Sequence, residues 1–140
     1  MIEEAYVSLE IARILKDKGF RARTNRYYNA QYEEIRTVSD TFMMDWNNEP
    51  YMRSITMPGS VAIPTLQMTM RWFREIHNIN INILYDLQRL AKTDGTTEDV
   101  DVYEVDIITK NGTIYIGNYN HYESACENAI IYCLTKLLKQ

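Results

Sequence analysis

The chain of 140 residues contains little cysteine and glycine. Its two cysteines, Cys126 and Cys133, fall on one predicted helix. Two helical turns separate them by about 10 Å, which is too far for a disulfide between them. We therefore expect reduced core thiols, and their spacing matches no zinc-site pattern. The five glycines leave little room for a phosphate-binding loop, and no dinucleotide or Walker pattern is present.

Long apolar runs and clustered basic residues are also missing. No run approaches the roughly 18 apolar residues of a membrane span. The acidic N-terminus lacks the basic and apolar regions of a secretory signal, so we expect a cytoplasmic location without membrane attachment. The net charge of −4 makes nucleic-acid binding unlikely on charge grounds, because phosphate neutralisation takes clustered Lys and Arg. The length predicts one domain, 1–140, with an adequate core.

No arrangement of catalytic residues can be recognised. His77 and His121 are the two histidines, and we interpret them as a structural residue at a helix end and an exposed residue. The acidic residues between Asp99 and Asp106 alternate along a predicted strand, which places most of them on a solvated face. The sequence shows no nucleophile with its base and no Gly-x-Ser-x-Gly pattern. We therefore predict no enzymatic activity, no cofactor and no metal site.

The N-terminal part predicts a helix over residues 3 to 18, followed by a short hairpin. Gly19 fits a left-handed helix end, and Phe20 can then fold back onto Leu15. The hairpin turns within residues 27–32 and returns through residues 35–38.

An arginine- and tyrosine-rich stretch links the first helix to this hairpin. Arginine forks can hold phosphate oxygens and tyrosine rings can stack on a base, so the stretch could bind an anionic small molecule such as a nucleotide. It could equally be a solvated connector leading into an edge strand. The candidate ligand-binding residues are Arg21, Arg23, Arg26, Tyr27 and Tyr28.

Residues 39–61 are apolar yet irregular, because Pro50 and the Pro58-Gly59-Ser60 group break any long element. Such a segment either packs over the core as a lid or presents methionines and aromatic rings to a partner. In the second case its exposed anchors would bind another protein. The candidate partner-binding residues are Phe42, Met43, Met44, Trp46, Tyr51 and Met52.

The central stretch is typical of a helix that passes directly into a strand. Pro64 suits the first helical position. An apolar stripe recurs at helical spacing through Leu66, Met70, Phe73 and Ile76, and Asn78 can end the helix. From Ile79 the apolar residues alternate with asparagines, which is the period of a strand.

The remainder predicts a polar connector over 88–99, a strand over 100–110, a type I′ turn at Asn111-Gly112 and a return strand. A last helix follows, with Asn120 and Glu123 as a capping box. From residue 64 the order is helix, three antiparallel strands, helix, which is the topology of double-stranded RNA-binding domains. Glu123 and Glu127 stand where such a domain presents basic residues, so RNA binding is not expected. The fold class is α+β.

Three segments carry a family resemblance: YVSLEIARILKDKGF (6–20), AIPTLQMTMRWFREIHNININI (62–83) and YESACENAIIYCLTKLL (122–138). With the Tyr27-Tyr28 pair, they resemble a family of small proteins from gut Bacteroidales genomes and from the phages and mobile elements of those bacteria. The chain departs from the family pattern by Ile63, inserted before Pro64, and by Phe73 in place of leucine. The family has no established activity, so the resemblance implies a small accessory protein and assigns no functional residue.

Two hypotheses follow. The first is a non-enzymatic protein-interaction module that we expect to form a homo-oligomer or to bind another protein, through the tyrosine-rich sheet and residues 39–57. The alternative is a protein that sequesters a small anionic molecule, such as a nucleotide signal, in the arginine- and tyrosine-rich stretch.

Overall fold

A computed structural model describes residues 3–48, 51–52, 55–56 and 59–138. Over these residues the chain is α+β, with three α-helices and two antiparallel three-stranded sheets. Its contacts divide it into two units, Met1–Met68 with Leu134–Gln140, and Thr69–Cys133. No helix among the described residues is long and apolar enough to cross a membrane.

The first helix, α1, spans Leu9–Asp17. It begins at Ser8, whose hydroxyl oxygen accepts a hydrogen bond from the Ile11 amide at 3.2 Å. The predicted start at residue 3 is wrong, because Tyr6 is extended and forms an isolated antiparallel bridge with Thr65. A serine side chain that accepts a hydrogen bond from a free amide of the first turn favours a helix start at that serine. The apolar residues before Ser8 therefore do not extend the helix toward the N-terminus.

The predicted end of α1 is confirmed. Gly19 has φ of +87°, a left-handed conformation that glycine adopts without strain. The amide of Phe20 donates to the carbonyl of Leu15 at 2.9 Å, which closes the helix with the bond typical of this stop. The ring of Phe20 is fully buried in the core of the same unit.

The first unit contains five short strands: β1 (Arg26–Asn29), β2 (Glu34–Thr37), β3 (Tyr51–Met52), β4 (Ile55–Thr56) and β5 (Val61–Ala62). The predicted hairpin is confirmed as the antiparallel pair β1–β2. Strand β5 pairs with the other edge of β1 and completes a sheet of order β2-β1-β5. A two-residue strand leaves no periodic signal, so β5 could not be predicted. Strands β3 and β4 pair with each other.

Helix α2 spans Leu66–His77. It starts two residues after the predicted Pro64, because the hydroxyl of Thr65 accepts a hydrogen bond from the Met68 amide at 3.1 Å and caps the first turn. Asn78 follows the helix with φ of +54°, so the predicted left-handed end is confirmed.

The apolar stripe of α2 is confirmed over most of its length. Leu66, Met70 and Phe73 are buried, and Trp72 is buried beside them on the helix. Ile76 is 64% exposed, so its predicted place in the stripe is wrong. The stripe therefore ends one turn before the helix does.

The second sheet consists of β6 (Asn80–Ala91), β7 (Thr97–Thr109) and β8 (Gly112–Tyr119), in that order. Every residue of β6 has a partner on β7, from Asn80 opposite Ile108 to Ala91 opposite Thr97. The predicted connector over 88–99 is therefore wrong, because all but its central turn belongs to two paired strands. The residues of this stretch are polar because both strands are exposed to solvent, and a polar composition does not distinguish an exposed strand from a loop.

The turn between β7 and β8 differs from its prediction. Thr109 pairs with Gly112, so the turn is formed by Lys110 and Asn111. Neither residue has a positive φ, whereas Gly112 has φ of +124°. A type I′ turn needs positive φ at both central residues, so the predicted turn type is wrong.

Helix α3 spans Tyr122–Tyr132 and packs against all three strands of this sheet. Its buried side chains are Ala125, Cys126, Ala129 and Ile130, and the sheet contributes the buried Val105 and Ile107. The predicted capping box is wrong. His121 precedes the helix without a side-chain cap, and the Asn120 amide nitrogen instead donates to the Asp101 carbonyl at 3.1 Å.

The last turns of the chain are wider than an α-helix, with a π-helix over Cys133–Leu137. The order predicted from residue 64, helix, three antiparallel strands and helix, is present as α2, β6, β7, β8 and α3.

Candidate functional site

The outer half of the β6–β7 hairpin, residues Leu84–Glu104, is termed the arm. Its two strands stay paired in register from Leu84 opposite Glu104 to Ala91 opposite Thr97. Every residue of the β6 side, Leu84–Ala91, is exposed, and so are Thr97–Asp99 on the β7 side. The arm is therefore exposed along β6 and towards its tip, whereas Val102 near its root is buried.

A tight turn closes the arm. The amide of Lys92 donates to the Thr96 carbonyl at 2.8 Å, and Gly95 has φ of +86°. The carboxylate of Asp94 accepts hydrogen bonds from both the amide and the hydroxyl of Thr96, at 3.0 and 2.6 Å. These bonds, the hydroxyl bond first, lower the pKa of Asp94 because they favour the charged carboxylate. The turn is thus held by its own side chains.

The arm exposes large apolar side chains on both of its faces. Leu84 is 45% exposed and Leu90 is 48% exposed, and alternation places both on one face. Tyr85 is 57% exposed and Leu87 is 54% exposed, and both lie on the other face, the one that α3 covers nearer the core. Exposed apolar side chains grouped on one element are typical of a surface that binds another protein.

Aromatic contacts join the root of the arm to the core of its unit. The ring of Tyr85 lies 5.3 Å from that of Tyr103, and Tyr103 lies 5.9 Å from Tyr122 at the start of α3. The hydroxyl of Tyr85 donates to the Asp101 carboxylate at 2.8 Å, and this bond is the main cause of a raised pKa for Tyr85. These contacts hold Tyr85 in place at the point where the covered sheet becomes the exposed arm.

The arm carries the net charge of the whole protein. Residues 84–104 contain six acidic side chains and two basic ones, a net charge of −4, which equals the net charge of the full chain. Outside the arm, thirteen acidic residues therefore balance thirteen basic residues. Both cations of the arm face carboxylates, Arg89 on Asp99 at 3.1 Å and Lys92 on Glu98 at 3.8 Å. The arm combines apolar side chains with strong negative charge.

The two edges of the second sheet differ. Strand β8 has eight residues, and its pairing with β7 shifts register at Val105/Asp106, which leaves Ile116 as an extra residue. Strand β6 has twelve residues, no register shift, no proline and no lysine. Among the strands of the described residues, β6 pairs only with β7. Bulges, prolines and charged side chains protect a sheet edge, so β8 has a bulge, whereas β6 has only the charges of Asp86 and Arg89.

At the centre of the predicted partner-binding segment, Trp46 is buried and not exposed. Trp46 is 2% exposed, its ring stacks on Tyr27 at 3.8 Å, and its indole N–H donates to the Thr24 carbonyl at 2.8 Å. Its prediction as an exposed anchor is wrong, because the indole finds both an apolar partner and a hydrogen-bond acceptor inside the unit.

The other predicted anchors differ among themselves. Phe42 is 66% exposed, at the end of a 3₁₀ turn over Asp40–Phe42. Met43 and Met44 are half-buried, and the backbone of Met44 bridges to Thr24. The side chains of Tyr51 and Met52 lie outside the described residues, and their proposed role stays a prediction.

The predicted ligand-binding residues do not converge on one cavity. Arg21 pairs with Asp45 at 3.4 Å, while the guanidinium of Arg26 lies 3.7 Å from the ring centre of Tyr6 and donates to the Thr37 hydroxyl. Tyr27 is buried against Trp46, and Tyr28 points to the opposite face of β1, beneath Arg13 at 5.1 Å. Arg23 is exposed and has no ion-pair partner among the described residues.

A cleft that sequence reasoning missed lies beside this stretch. It has a volume of about 300 Å³ and is lined by Arg13, Lys16, Asp17, Gly59 and Val61. The ammonium group of Lys16 donates to the Ser60 carbonyl at 2.7 Å, and Arg13 lies over the ring of Tyr28. No sequence pattern joins α1 to residues near 60, so only the fold could reveal it.

Cys126, Cys133 and His77 are titratable groups whose pKa values are shifted by burial. Cys126 and Cys133 are free and fully buried, as predicted, and burial raises their pKa to about 11 and about 12. Burial lowers the pKa of His77, whose ring meets Trp72 edge to face at 4.6 Å. In the described part of the chain, His77 Nε2 has no hydrogen-bond partner, and no three His, Cys, Asp or Glu side chains lie close enough to hold a metal ion.

Comparison with protein-family models, with curated proteins and with solved structures gave no match for this chain.

Proposed function

We propose that this chain is a non-enzymatic protein-interaction module, an accessory protein whose working surface is the arm. One observation carries the proposal: a ribbon of two paired strands exposes Leu84, Tyr85, Leu87 and Leu90 while remaining regular along its whole length. A soluble domain gains nothing in its own stability from leucines in water. Their stabilising contribution comes when a partner covers them, at roughly 1.5–3 kcal/mol for each side chain fully buried.

The arm replaces residues 39–57 as the favoured surface. Among the described side chains of the predicted segment, Phe42 is the one well-exposed aromatic ring, whereas Trp46 contributes to the core of its own unit. Tryptophan and tyrosine dominate binding energy when they are buried by a partner, and Trp46 is already buried by Tyr27. The tyrosine-rich sheet of the original hypothesis remains part of the proposal, through Tyr85 at the root of the arm.

Site-specific photo-crosslinking in the native host background tests the proposal. A photoreactive amino acid is placed at Leu87 or Leu90, and the matched control is placed at Ile131, an exposed apolar residue of α3 with 41% exposure. We expect covalent protein adducts from the two arm positions and none from the control. Equal adduct formation at Ile131, or none at either arm position, would contradict the proposal. The adduct mass separates a second copy of 16.5 kDa from any other protein.

A small-molecule site is a second candidate, favoured by the cleft beside Arg13 and Lys16. Arg13, which lies over the ring of Tyr28, and Lys16, which lines the same cleft, could hold an anion of nucleotide type. A nucleotide panel that raises the melting temperature of the wild type, with the effect lost in Arg13→Ala and kept in Arg74→Ala, would support this site. A shift retained by Arg13→Ala would exclude the cleft.

The likeness to the topology of double-stranded RNA-binding domains stays a prediction. The cytoplasmic location also stays a prediction. The charge argues against RNA as the ligand, because the arm adds six carboxylates to a surface that phosphates would have to approach.

A further inference from the structure

We infer that the partner of the arm is a second copy of this chain, joined to the first by antiparallel pairing of the two β6 edges with Leu87 on the twofold axis. The inference rests on the proposed function, because it names the occupant of the same surface. Its starting point is the edge itself: twelve regular residues without bulge, proline or lysine, whose outer half is fully exposed.

Symmetry restricts how two such edges can pair. A twofold axis that relates neighbouring antiparallel strands stands perpendicular to the sheet, so each face of one copy continues into the same face of the other. Directly opposite residues share a face. The axis must therefore pass through a pair formed by one residue and its own copy, and only a few positions along the arm are possible.

The axis at Leu87 gives matching neighbours at each position. Leu87 meets Leu87 of the second copy, and Leu84 lies opposite Leu90, which makes two leucine pairs on the other face. Asp86 lies opposite Gln88, whose amide can donate to the carboxylate. Tyr85 lies opposite Arg89, so that a guanidinium can stack on the exposed ring. Each of these contacts except the central one occurs twice.

The neighbouring positions of the axis are worse. With the axis at Asp86, two carboxylates face each other, and with the axis at Arg89, two guanidinium groups do so. With the axis at Gln88, Asp86 would face Leu90 and Leu84 would face Lys92, and like or mismatched groups directly opposite destabilise a sheet. With the axis at Tyr85, Leu84 would face Asp86 twice. An axis at Leu84 also sets apolar against apolar, but it draws on Ile81 and Ile83, which lie outside the arm and are half-buried. Among the axes whose pairs stay within the fully exposed residues 84–91, the register centred on Leu87 sets the most leucines against leucines.

The pairing would join two three-stranded sheets into one sheet of six strands. It would pair the edge of β6 that has no partner strand among the described residues. It would also bring the leucines of the two arms side by side on both faces without any rearrangement of the chain, because β6 is already extended and regular.

Disulfide trapping in the full-length chain tests the register. Residues opposite each other in an antiparallel pair have Cα atoms about 4.5–5.5 Å apart, within the range of a disulfide. Leu87→Cys should therefore form a covalent dimer under mild oxidation. Leu90→Cys is the matched control: its Cα lies six residues from that of its own copy along the strand, roughly 20 Å, so it should stay uncrosslinked. The native thiols are buried in both variants.

A double variant completes the design. Leu84→Cys and Leu90→Cys are each expected to stay uncrosslinked alone, whereas the two together in one chain should form a dimer with two disulfides. If Leu87→Cys stays uncrosslinked while the wild type sediments as a dimer, the register is wrong and the proposed function stands. If the wild type is a monomer and Leu87→Cys stays uncrosslinked, the second copy is excluded, and the crosslinked adduct mass decides whether another protein occupies the arm. Equal crosslinking of Leu87→Cys and Leu90→Cys would also overturn the inference.

Discussion

Two regions of this protein exchange the roles that their sequences suggest. The segment around Trp46 is rich in aromatic residues and methionines and resembles an exposed binding surface, yet its tryptophan is 2% exposed. The stretch around residues 88–99 is polar and resembles a connector, yet it forms most of a paired ribbon with Leu90 48% exposed. Composition describes what a segment contains, whereas pairing and burial decide what it can offer to a partner.

The difference between the two regions comes from long-range partners. Trp46 is buried because Tyr27, nineteen residues earlier, provides a ring to stack on, and Thr24 provides a carbonyl for the indole N–H. The arm stays exposed because, among the described strands, residues 84–91 pair with β7 alone and residues 97–102 pair with β6 alone. The account therefore predicts that substitutions in the first region affect folding, and that substitutions in the second affect association.

The largest expected effect is on stability, from Trp46→Ala. Removal of a buried tryptophan side chain costs about 3–5 kcal/mol of the free energy of unfolding, because a cavity and an unsatisfied carbonyl remain. Urea denaturation of the full chain measures it. Phe42→Ala is the matched control, and we expect a change within about 0.5 kcal/mol because Phe42 is 66% exposed. Similar losses in the two variants would remove the contrast between a buried and an exposed ring.

The next effect is on association, from Leu87→Thr. Threonine keeps the strand conformation, so the free energy of unfolding of the monomer should change little. The loss of two leucines at the twofold axis should weaken the dimer about tenfold or more, since a buried leucine contributes roughly 1.5–3 kcal/mol. Sedimentation velocity over a concentration series measures the dissociation constant. An unchanged dissociation constant would place Leu87 outside the interface.

A smaller effect is expected from salt. Each arm has a net charge of −4, so two arms brought together repel each other. Salt screens this repulsion, since the Debye length falls from about 10 Å at 0.1 M to about 3 Å at 1 M. We expect the dimer to strengthen several-fold between 0.05 and 0.5 M NaCl, roughly the range over which that screening develops. Weakening over the same range would instead indicate a basic partner for the arm.

The smallest effect concerns the two cysteines. Burial raises the pKa of Cys126 to about 11 and that of Cys133 to about 12, against 9.0 for an unperturbed thiol. Folding therefore favours the protonated thiols, and this contribution to stability is present below pH 9 and is lost as the pH rises toward these folded-state values. At pH 8 the native chain should react slowly with a thiol reagent and the unfolded chain quickly. Rapid reaction of the native chain would show that these thiols are accessible.

Much of the fold follows from local patterns in the sequence. The helix end at Gly19 and Phe20, the left-handed Asn78 and the β1–β2 hairpin all depend on neighbours in the chain, and all were predictable. The apolar stripe of α2 was predictable over three of its four residues. These features need only the conformational preferences of a few adjacent residues.

The candidate site was less predictable for a physical reason. The β6 side of the arm, Leu84–Ala91, has no buried residue to impose alternation of apolar and polar side chains, so it leaves no two-residue period. Leu84, Leu87 and Leu90 instead recur every three residues, which in a strand distributes them over both faces. The partner of Trp46 and the cleft beside Arg13 likewise depend on residues distant in the chain.

The central claim is that the arm is the surface through which this protein associates. Native mass spectrometry of the full chain tests it most directly, with the triple variant Leu84→Thr, Leu87→Thr and Leu90→Thr beside a Phe42→Thr control. The account predicts a dimer at twice 16.5 kDa for the wild type and for the control, and a folded monomer for the triple variant. A triple variant that remains a dimer would contradict it, and so would a control variant that dissociates to a monomer.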